Sequence, residues 1–337
     1  MANLNVEFMG LKLRNPIIVG ACTLSATVEG ARELERAGAG AIVYKSLFEE
    51  QIQMERAQLD DEMDAYSERN AEMVSIFPTL EHAGPTAHII KLIDVKKNIS
   101  IPVIASLNCV YDVTWFDYAK QLEDAGVDAL ELNFYSMPTS MDKTAAEIEE
   151  EKVKIVQTLK KRLKIPFCIK LSPYYTNTMN FVSRLDKAGA SSFALFNRLF
   201  QPEVNIDEEC HMTRFNLSNR GDFKLALRYV GLLHNKIKGA LCGTNGIYTH
   251  EDIIQMLLSG ADVVQMVSAI YKNQPSYIAE VLAELENWMD TKGYKSINEF
   301  KGKLSANELK SSDIYYRAQY LDFLLKPEEI INKYPMR

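Results

Sequence analysis

Short apolar runs recur along the chain, and polar stretches with helical spacing lie between them. "NPIIVGA", "AIVYKS", "IPVIASLN", "ALELN", "IPFCIKLS", "FALFN", "GALCGTNG" and "DVVQMVS" are apolar at consecutive positions, the pattern of strands buried on both faces. Between two of them, Trp115, Tyr118, Ala119 and Leu122 fall at helical spacing. Thr249 and Asp252 form a capping-box start ahead of Ile253, Ile254, Leu257 and Leu258. Gly38, Gly126, Gly189 and Gly260 each close a helical pattern just before a strand, where a left-handed stop is needed. Pro16, Pro102 and Pro166 open three of the strands, where a missing N–H costs least.

Buried strands alternating with amphipathic helices imply a parallel sheet covered by helices. Eight such units point to a closed (β/α)8 TIM barrel; an open doubly wound sheet is the alternative, and the repeat favours closure. "VEFMGLKLR" ahead of the first unit reads as a hairpin turning near Gly10 and plugging the barrel floor. Long insertions follow strand 2 (Leu47 to Ser100) and strand 6 (Phe200 to Asn219); such excursions from strand tips serve as lids or substrate walls. The expected division is a barrel domain over residues 1–304 and a tail over 305–337 that packs on the barrel or on a partner subunit.

The chain of 337 residues is 47% hydrophobic and carries a net charge of -7, which argues against nucleic acid as the main partner. No apolar run is long enough to span a membrane, and the N-terminal residues lack a signal-peptide layout. A cytoplasmic location is expected. Five cysteines lie far apart with no C-x-x-C pair, and the five histidines show no metal-ligand spacing. No metal site is expected.

In such a barrel the chemistry belongs at the C-terminal ends of the strands. Those ends carry Ala21 and Cys22, Lys45 and Ser46, Asn108, Asn133, Lys170, Asn197 and Arg198, "GTNGI", and Ser268. One terminal lysine is an ordinary surface charge. Two lysines and three asparagines ending buried strands imply a shared ligand site. The turn Gly243, Thr244, Asn245, Gly246 and the loop at Ser268 offer backbone N–H groups for a phosphate, although a tight turn alone would also explain the glycines. With the lysines, they suggest a phosphorylated aromatic cofactor across the barrel mouth.

The motifs "LRNPIIVGA", "AIVYKS", "LELNFYSMP", "CIKLSPYY", "FALFN", "GTNGI", "GADVVQM" and "TKGYKSINEFKGKL", in this order, resemble the class 1 dihydroorotate dehydrogenases. The resemblance runs from Leu4 to about Leu304. It implies FMN as cofactor and oxidation of dihydroorotate to orotate by hydride transfer to flavin N5, with a loop base taking the neighbouring proton. It also implies that Ala21, Lys45, Ser46, Asn108, Asn133, Lys170 and Asn197 contact flavin or substrate. Gly243, Thr244, Asn245, Gly246 and Ser268 would hold the phosphate, and Lys170 would favour the anionic reduced flavin. A homodimer is expected; the electron acceptor is open.

The chain departs from the family in its substrate loops. Where the family reads Asn-Leu-Ser-Cys-Pro-Asn with cysteine as base, this chain has Asn133-Phe134-Tyr135-Ser136-Met137-Pro138. Counting from Asn133 puts Ser136 in the cysteine slot; anchoring on Pro138 puts Met137 there. Ser136, with Lys45, is the catalytic candidate, and a serine base needs activation by its surroundings. Arg198 replaces a small polar residue after strand 6, and Val267 replaces a glycine in the phosphate loop. The flavin half of the site is kept and the pyrimidine half rebuilt, so a second reading is an FMN oxidoreductase acting on another small unsaturated acid or cyclic amide, its carboxylate gripped by Arg198. A third is a flavin-binding protein without turnover.

Overall fold

The computed structural model describes residues 2–50, 85–109, 112–135, 138–199, 201–212, 217–309, 313–316 and 319–333. Eight parallel strands close into a barrel: β3 (Ile17–Val19), β4 (Ala41–Phe48), β5 (Val103–Asn108), β6 (Ala129–Phe134), β7 (Phe167–Leu171), β8 (Ser192–Leu195), β11 (Ala240–Gly243) and β12 (Val263–Met266), the last pairing back onto β3. The closed (β/α)8 reading holds, and the open sheet is excluded. Pro16, Pro102 and Pro166 stand immediately before β3, β5 and β7. Their carbonyls accept ladder bonds from Val264, Ile42 and Leu130, so the positions lose no needed donor.

Side chains alternate between the inside and outside of the barrel. Outward residues such as Leu130, Leu132 and Phe134 of β6 join the large core under the helices. Inward residues Ile18, Ala41, Val43, Ile104, Ala129, Cys168, Ala194, Cys242 and Val263 form a second, smaller cluster. Phe8 and Leu13, on a hairpin of β1 (Val6–Phe8) and β2 (Leu11–Leu13), insert into that cluster. The hairpin turns at Gly10, φ 78°, and closes the barrel floor. With the N-terminal end plugged by this hairpin, a ligand enters, among the described residues, from the C-terminal end.

The helices end as their sequence asks. Gly38, Gly126, Gly189 and Gly260 all have positive φ. Trp115, Ala119 and Leu122 are buried on the helix Asp112–Asp124, and Thr249 with Asp252 makes the capping box of the helix His250–Ser259. A further repeat rides on these glycines. Glu35, Glu123 and Asp186, each three residues before its glycine, accept backbone N–H bonds from the start of a later unit: Glu35 from Ser100 and Ile101, Glu123 from Lys164 and Ile165, Asp186 from Lys238 and Gly239. Asp128 and Asp262, two residues past a glycine, accept instead from the preceding strand, from the N–H groups of Val103 and Leu241. Burial of Glu35 and of Glu123 opposes their ionisation. The bonds they accept outweigh it and hold both carboxyls below their usual range.

The insertion after β8 contains a small hairpin, β9 (Glu203–Asn205) with β10 (Cys210–Met212). Most of the insertion after β4 lies outside the described residues, including His82; the helix Pro85–Asn98 closes it. After the helix Tyr277–Lys292 the chain runs along the barrel's outer helices. Gly302, Leu304 and Ala306 donate to the carbonyls of Leu257, Leu258 and Gly231. The ring of Tyr315 lies over Gly231, where an added Cβ would be 2.3 Å from it, and Arg228 donates to the Tyr315 carbonyl at 2.8 Å. Among the described residues, no helix is long and apolar enough to cross a membrane.

Candidate functional site

The C-terminal mouth opens into a cavity of about 600 Å³, within the range of small-ligand and cofactor sites. Strand alternation dictates its polar lining. On β6 the inward positions climb from Ala129 in the floor to Glu131 and then Asn133; on β7 they climb from Cys168 to Lys170, and on β12 from Val263 to Gln265. Each strand changes from apolar to polar on its inner face as it leaves the floor cluster. The tip of β6 is held from outside, where Phe134 meets Trp115 edge-on at 5.2 Å.

Just above the floor, Lys170 Nζ donates to Glu131 Oε1 at 3.2 Å and to Gln265 Oε1 at 3.1 Å. Gln265 Nε2 donates to Glu131 Oε2 at 2.5 Å. The three side chains form a closed triangle joining β6, β7 and β12. The Glu131 side chain is 1% exposed and that of Lys170 12%. The triangle spends two of the three ammonium protons of Lys170, which leaves one for a ligand.

Across the mouth, β4 shifts register between Tyr44 and Leu47. Such a bulge re-aims side chains, and here the successive residues Lys45 and Ser46 both reach the cavity wall. Ser46 Oγ is 2.6 Å from Ser106 Oγ on β5. Among the described residues Lys45 has no ion-pair partner. Burial, together with the charges of Lys45 and Lys91, holds nearby His88 down to about 4, neutral at physiological pH.

Asn197, just after β8, donates from Nδ2 to Asn133 Oδ1 at 3.1 Å, so the two amides form one polar edge of the cavity. Beside them Arg198 meets Asp222 at 2.6 Å. At the β11 and β12 corner the turn after Gly243 carries Asn245 and Gly246 at φ 74° and 81°. Gly246 is required there, since a Cβ would lie 2.3 Å from the Asn219 carbonyl. A turn of this kind gathers successive N–H groups into an anion cradle. The side-chain oxygen of Asn245 is buried with no hydrogen-bond partner among the described residues; amide oxygen and nitrogen exchange by a half-turn, so the position also offers a donor. Ser268 accepts from Ser218 N at 2.9 Å and Ser218 Oγ at 2.8 Å, which ties this corner to the insertion after β8.

Ala21, Lys45, Ser46, Asn133, Lys170, Asn197, Arg198, Thr244, Asn245, Gly246 and Ser268 thus line one cavity. Asn108 and Gly243 are buried at the ends of β5 and β11 and do not line it. Ser136 and Met137 lie outside the described residues. The sequence reading did not include Glu131, Gln265, Ser218 or Tyr271. Glu131 carried a signal: counting back two from Asn133 along a strand gives the next inward residue, a carboxylate inside an apolar run. Tyr271, whose hydroxyl meets Thr23 Oγ1 at 2.5 Å, sits one helical turn past Ser268 and had none. No group of three or more histidine, cysteine or acidic side chains is placed to hold a metal among the described residues. Burial raises the thiol of Cys22, which lines the cavity, and pushes that of Cys168 up to about 12, so both stay protonated.

The family model described as dihydroorotate dehydrogenase matches residues 3–289. Among curated proteins the chain is similar to ones named dihydroorotate dehydrogenase B (NAD(+)), catalytic subunit. That of Caldicellulosiruptor saccharolyticus is 24% identical over 307 residues, covering 90% of this chain and 99% of the relative. The Thermoplasma volcanium protein is 25% identical over 313 residues, with 90% and 98% covered. The Geobacter sp. protein is 26% identical over 318 residues, with 90% and 98% covered.

Proposed function

The chain belongs to the dihydroorotate dehydrogenase family, oxidoreductases acting on CH–CH bonds, and from that premise we propose that its cavity binds FMN and that it oxidises dihydroorotate to orotate. The observation that carries this reading is the joint placement of Lys45, Lys170, the Asn133–Asn197 amide pair and the turn at Asn245 and Gly246 around one cavity of about 600 Å³. The site fits a flavin mononucleotide. It offers an anion cradle at its β11 and β12 corner, a buried amide oxygen at Asn245 with no partner among the described residues, and a lysine proton above the floor.

When bound, FMN would supply a two-electron acceptor for the hydride leaving the substrate carbon. Lys170 would donate to the flavin from its remaining N–H. The turn and Ser268 would hold the phosphate, and Ala21 and Ser46 would flank the ring. Asn133 and Asn197 would orient the substrate's amide and carbonyl groups, with Lys45 at the same mouth. Ser136, outside the described residues, is the proposed base for the neighbouring proton, and its hydroxyl requires a hydrogen-bonded outlet to serve. The relatives named above are called catalytic subunits; we propose likewise that this chain works with a second kind of subunit, as a cytoplasmic protein that pairs with its own copy.

One observation favours a second reading of the substrate. Arg198 lines the cavity, where the family carries a small polar residue. An arginine can grip a carboxylate through two parallel bonds, so by exchanging Asp222 for a substrate carboxylate Arg198 would take a small unsaturated acid other than dihydroorotate. A substrate screen that follows bleaching of the bound flavin tests both. Rapid bleaching by dihydroorotate supports the first reading; none at saturating concentration, with bleaching by another acid, supports the second. A yellow protein that no substrate bleaches would be a flavin binder without turnover.

A further inference from the structure

We infer that Glu131 is a positioning residue that sets the charge felt in the cavity through Lys170, and so sets how strongly the site favours reduced over oxidised FMN; this rests on the FMN reading. Lys170 taken alone is a cation in a cavity wall, and such a cation favours the negatively charged form of any ligand beside it. The structure does not leave it alone. Glu131, 1% exposed, lies 3.2 Å from its ammonium, and Gln265 bonds both partners at 3.1 Å and 2.5 Å. The pair sums to zero charge. The triangle also fixes the Lys170 head group, because each corner is held by two bonds and each comes from a different strand.

The strands the triangle joins are already paired within the closed barrel, and the barrel floor is filled by an apolar cluster beneath it. Burying an ion pair in place of apolar side chains is often neutral or unfavourable for stability. Two of the triangle's members, Lys170 and Gln265, line the cavity, which gives it a role toward the ligand. A net-neutral floor presents a directed N–H donor without the full field of a cation. Two-electron reduction of FMN with uptake of one proton leaves a net negative charge on the flavin at neutral pH. Removing the Glu131 carboxylate therefore exposes that charge to an uncompensated Lys170, and the reduced form gains.

The test uses the FMN-loaded protein and its variants Glu131→Gln, Glu131→Ala, Glu131→Asp and Gln265→Met, with dye-equilibrated reductive titration at pH 7 as readout. Glu131→Gln should raise the preference for reduced over oxidised FMN by about tenfold or more, an upward shift of ~30 mV for a two-electron couple. Glu131→Asp, which restores the carboxylate, should return the value to within about threefold of wild type. Gln265→Met, which breaks the triangle without changing charge, should also stay within about threefold; a change as large as that of Glu131→Gln would overturn the proposal. An unchanged or lowered preference in a yellow Glu131→Gln protein overturns it while leaving the FMN reading intact. If Glu131→Gln and Glu131→Ala both lose the fold or the flavin while Gln265→Met keeps both, the role is purely structural and the inference fails. A wild-type protein that takes up no FMN overturns both readings.

Discussion

Replacing Lys170 by methionine should destabilise the protein through a group that is not itself mutated. Methionine fills much of the lysine stem's volume but leaves the Glu131 carboxylate, 1% exposed, with Gln265 Nε2 as its remaining partner among the described residues. Removing one member of a buried ion pair costs about 3–5 kcal/mol because the other charge stays buried. The Lys170 side chain is 12% exposed and Gln265 keeps its bond, so the lower end, about 3 kcal/mol, is expected. Equilibrium urea unfolding followed by far-UV circular dichroism reads it, with and without excess FMN, since a bound ligand adds stability of its own. The double variant Lys170→Met with Glu131→Gln removes both charges and should recover about 2 kcal/mol of the loss. Lys160→Ala, on the exposed side of the helix Ala145–Arg162, should change stability by less than about 1 kcal/mol. A Lys170→Met protein within about 1 kcal/mol of wild type, or a double variant less stable than the single one, would refute the argument that a desolvated carboxylate lies beneath the site.

The purified protein should be yellow and release FMN, not FAD, on denaturation, since one anion cradle serves one phosphate; a colourless protein that cannot be reconstituted would refute the flavin reading. Gly231→Val should release the segment around Tyr315, because its Cβ would fall 2.3 Å from that ring; limited proteolysis should then cut the tail while circular dichroism stays near wild type. Glu35 and Glu123 have carboxyls held below their usual range, burial opposing ionisation but outweighed by accepted backbone bonds. Their stabilisation is therefore complete above the unfolded carboxyl's pKa and is lost as pH falls through the lower folded value. Glu35→Gln with Glu123→Gln should flatten that acid limb, and a limb unchanged in steepness would refute the assignment. If dihydroorotate is the substrate, Ser136→Ala should slow flavin reduction by roughly a hundredfold or more and Arg198→Ala should do less in stopped-flow measurements; the reverse order would point to a different acid held by Arg198.

The barrel was legible because its signals are local and repeated. A glycine such as Gly126 closes a helix wherever it stands, and a run such as "IPVIASLN" has no exposed alternative. The strand-tip residues were legible for the same reason, since alternation carries Lys170 and Asn133 to one side once the strands are placed. What escaped depends on contacts between distant segments. Gln265 matters only because β12 brings it against Lys170, 95 positions earlier in the chain. Ser218 reaches the site from an insertion whose path no periodicity specifies, through a bond to Ser268. The acidic staples Glu35, Glu123 and Asp186 lay in plain view three residues before their glycines, yet a carboxylate on a helix surface looks solvated until a later unit's N–H groups are placed against it.

These two kinds of residue divide the site along the fold. The groups assigned to the flavin stand on β4, β6, β7 and the turn after β11, held by ladder bonds and by outward packing such as Phe134 on Trp115. Arg198, which lines the same cavity, stands just after the end of β8 and outside the ladder. A strand cannot change its inner residue without disturbing the layer beneath it, whereas a loop can exchange residues with the barrel intact. Departures from the family should therefore collect outside the strands, as the one at Arg198, just past β8, does. It follows that variation in the loops should alter which acid is oxidised, while variation in the Glu131–Lys170–Gln265 triangle should alter how readily the cofactor accepts electrons from any of them.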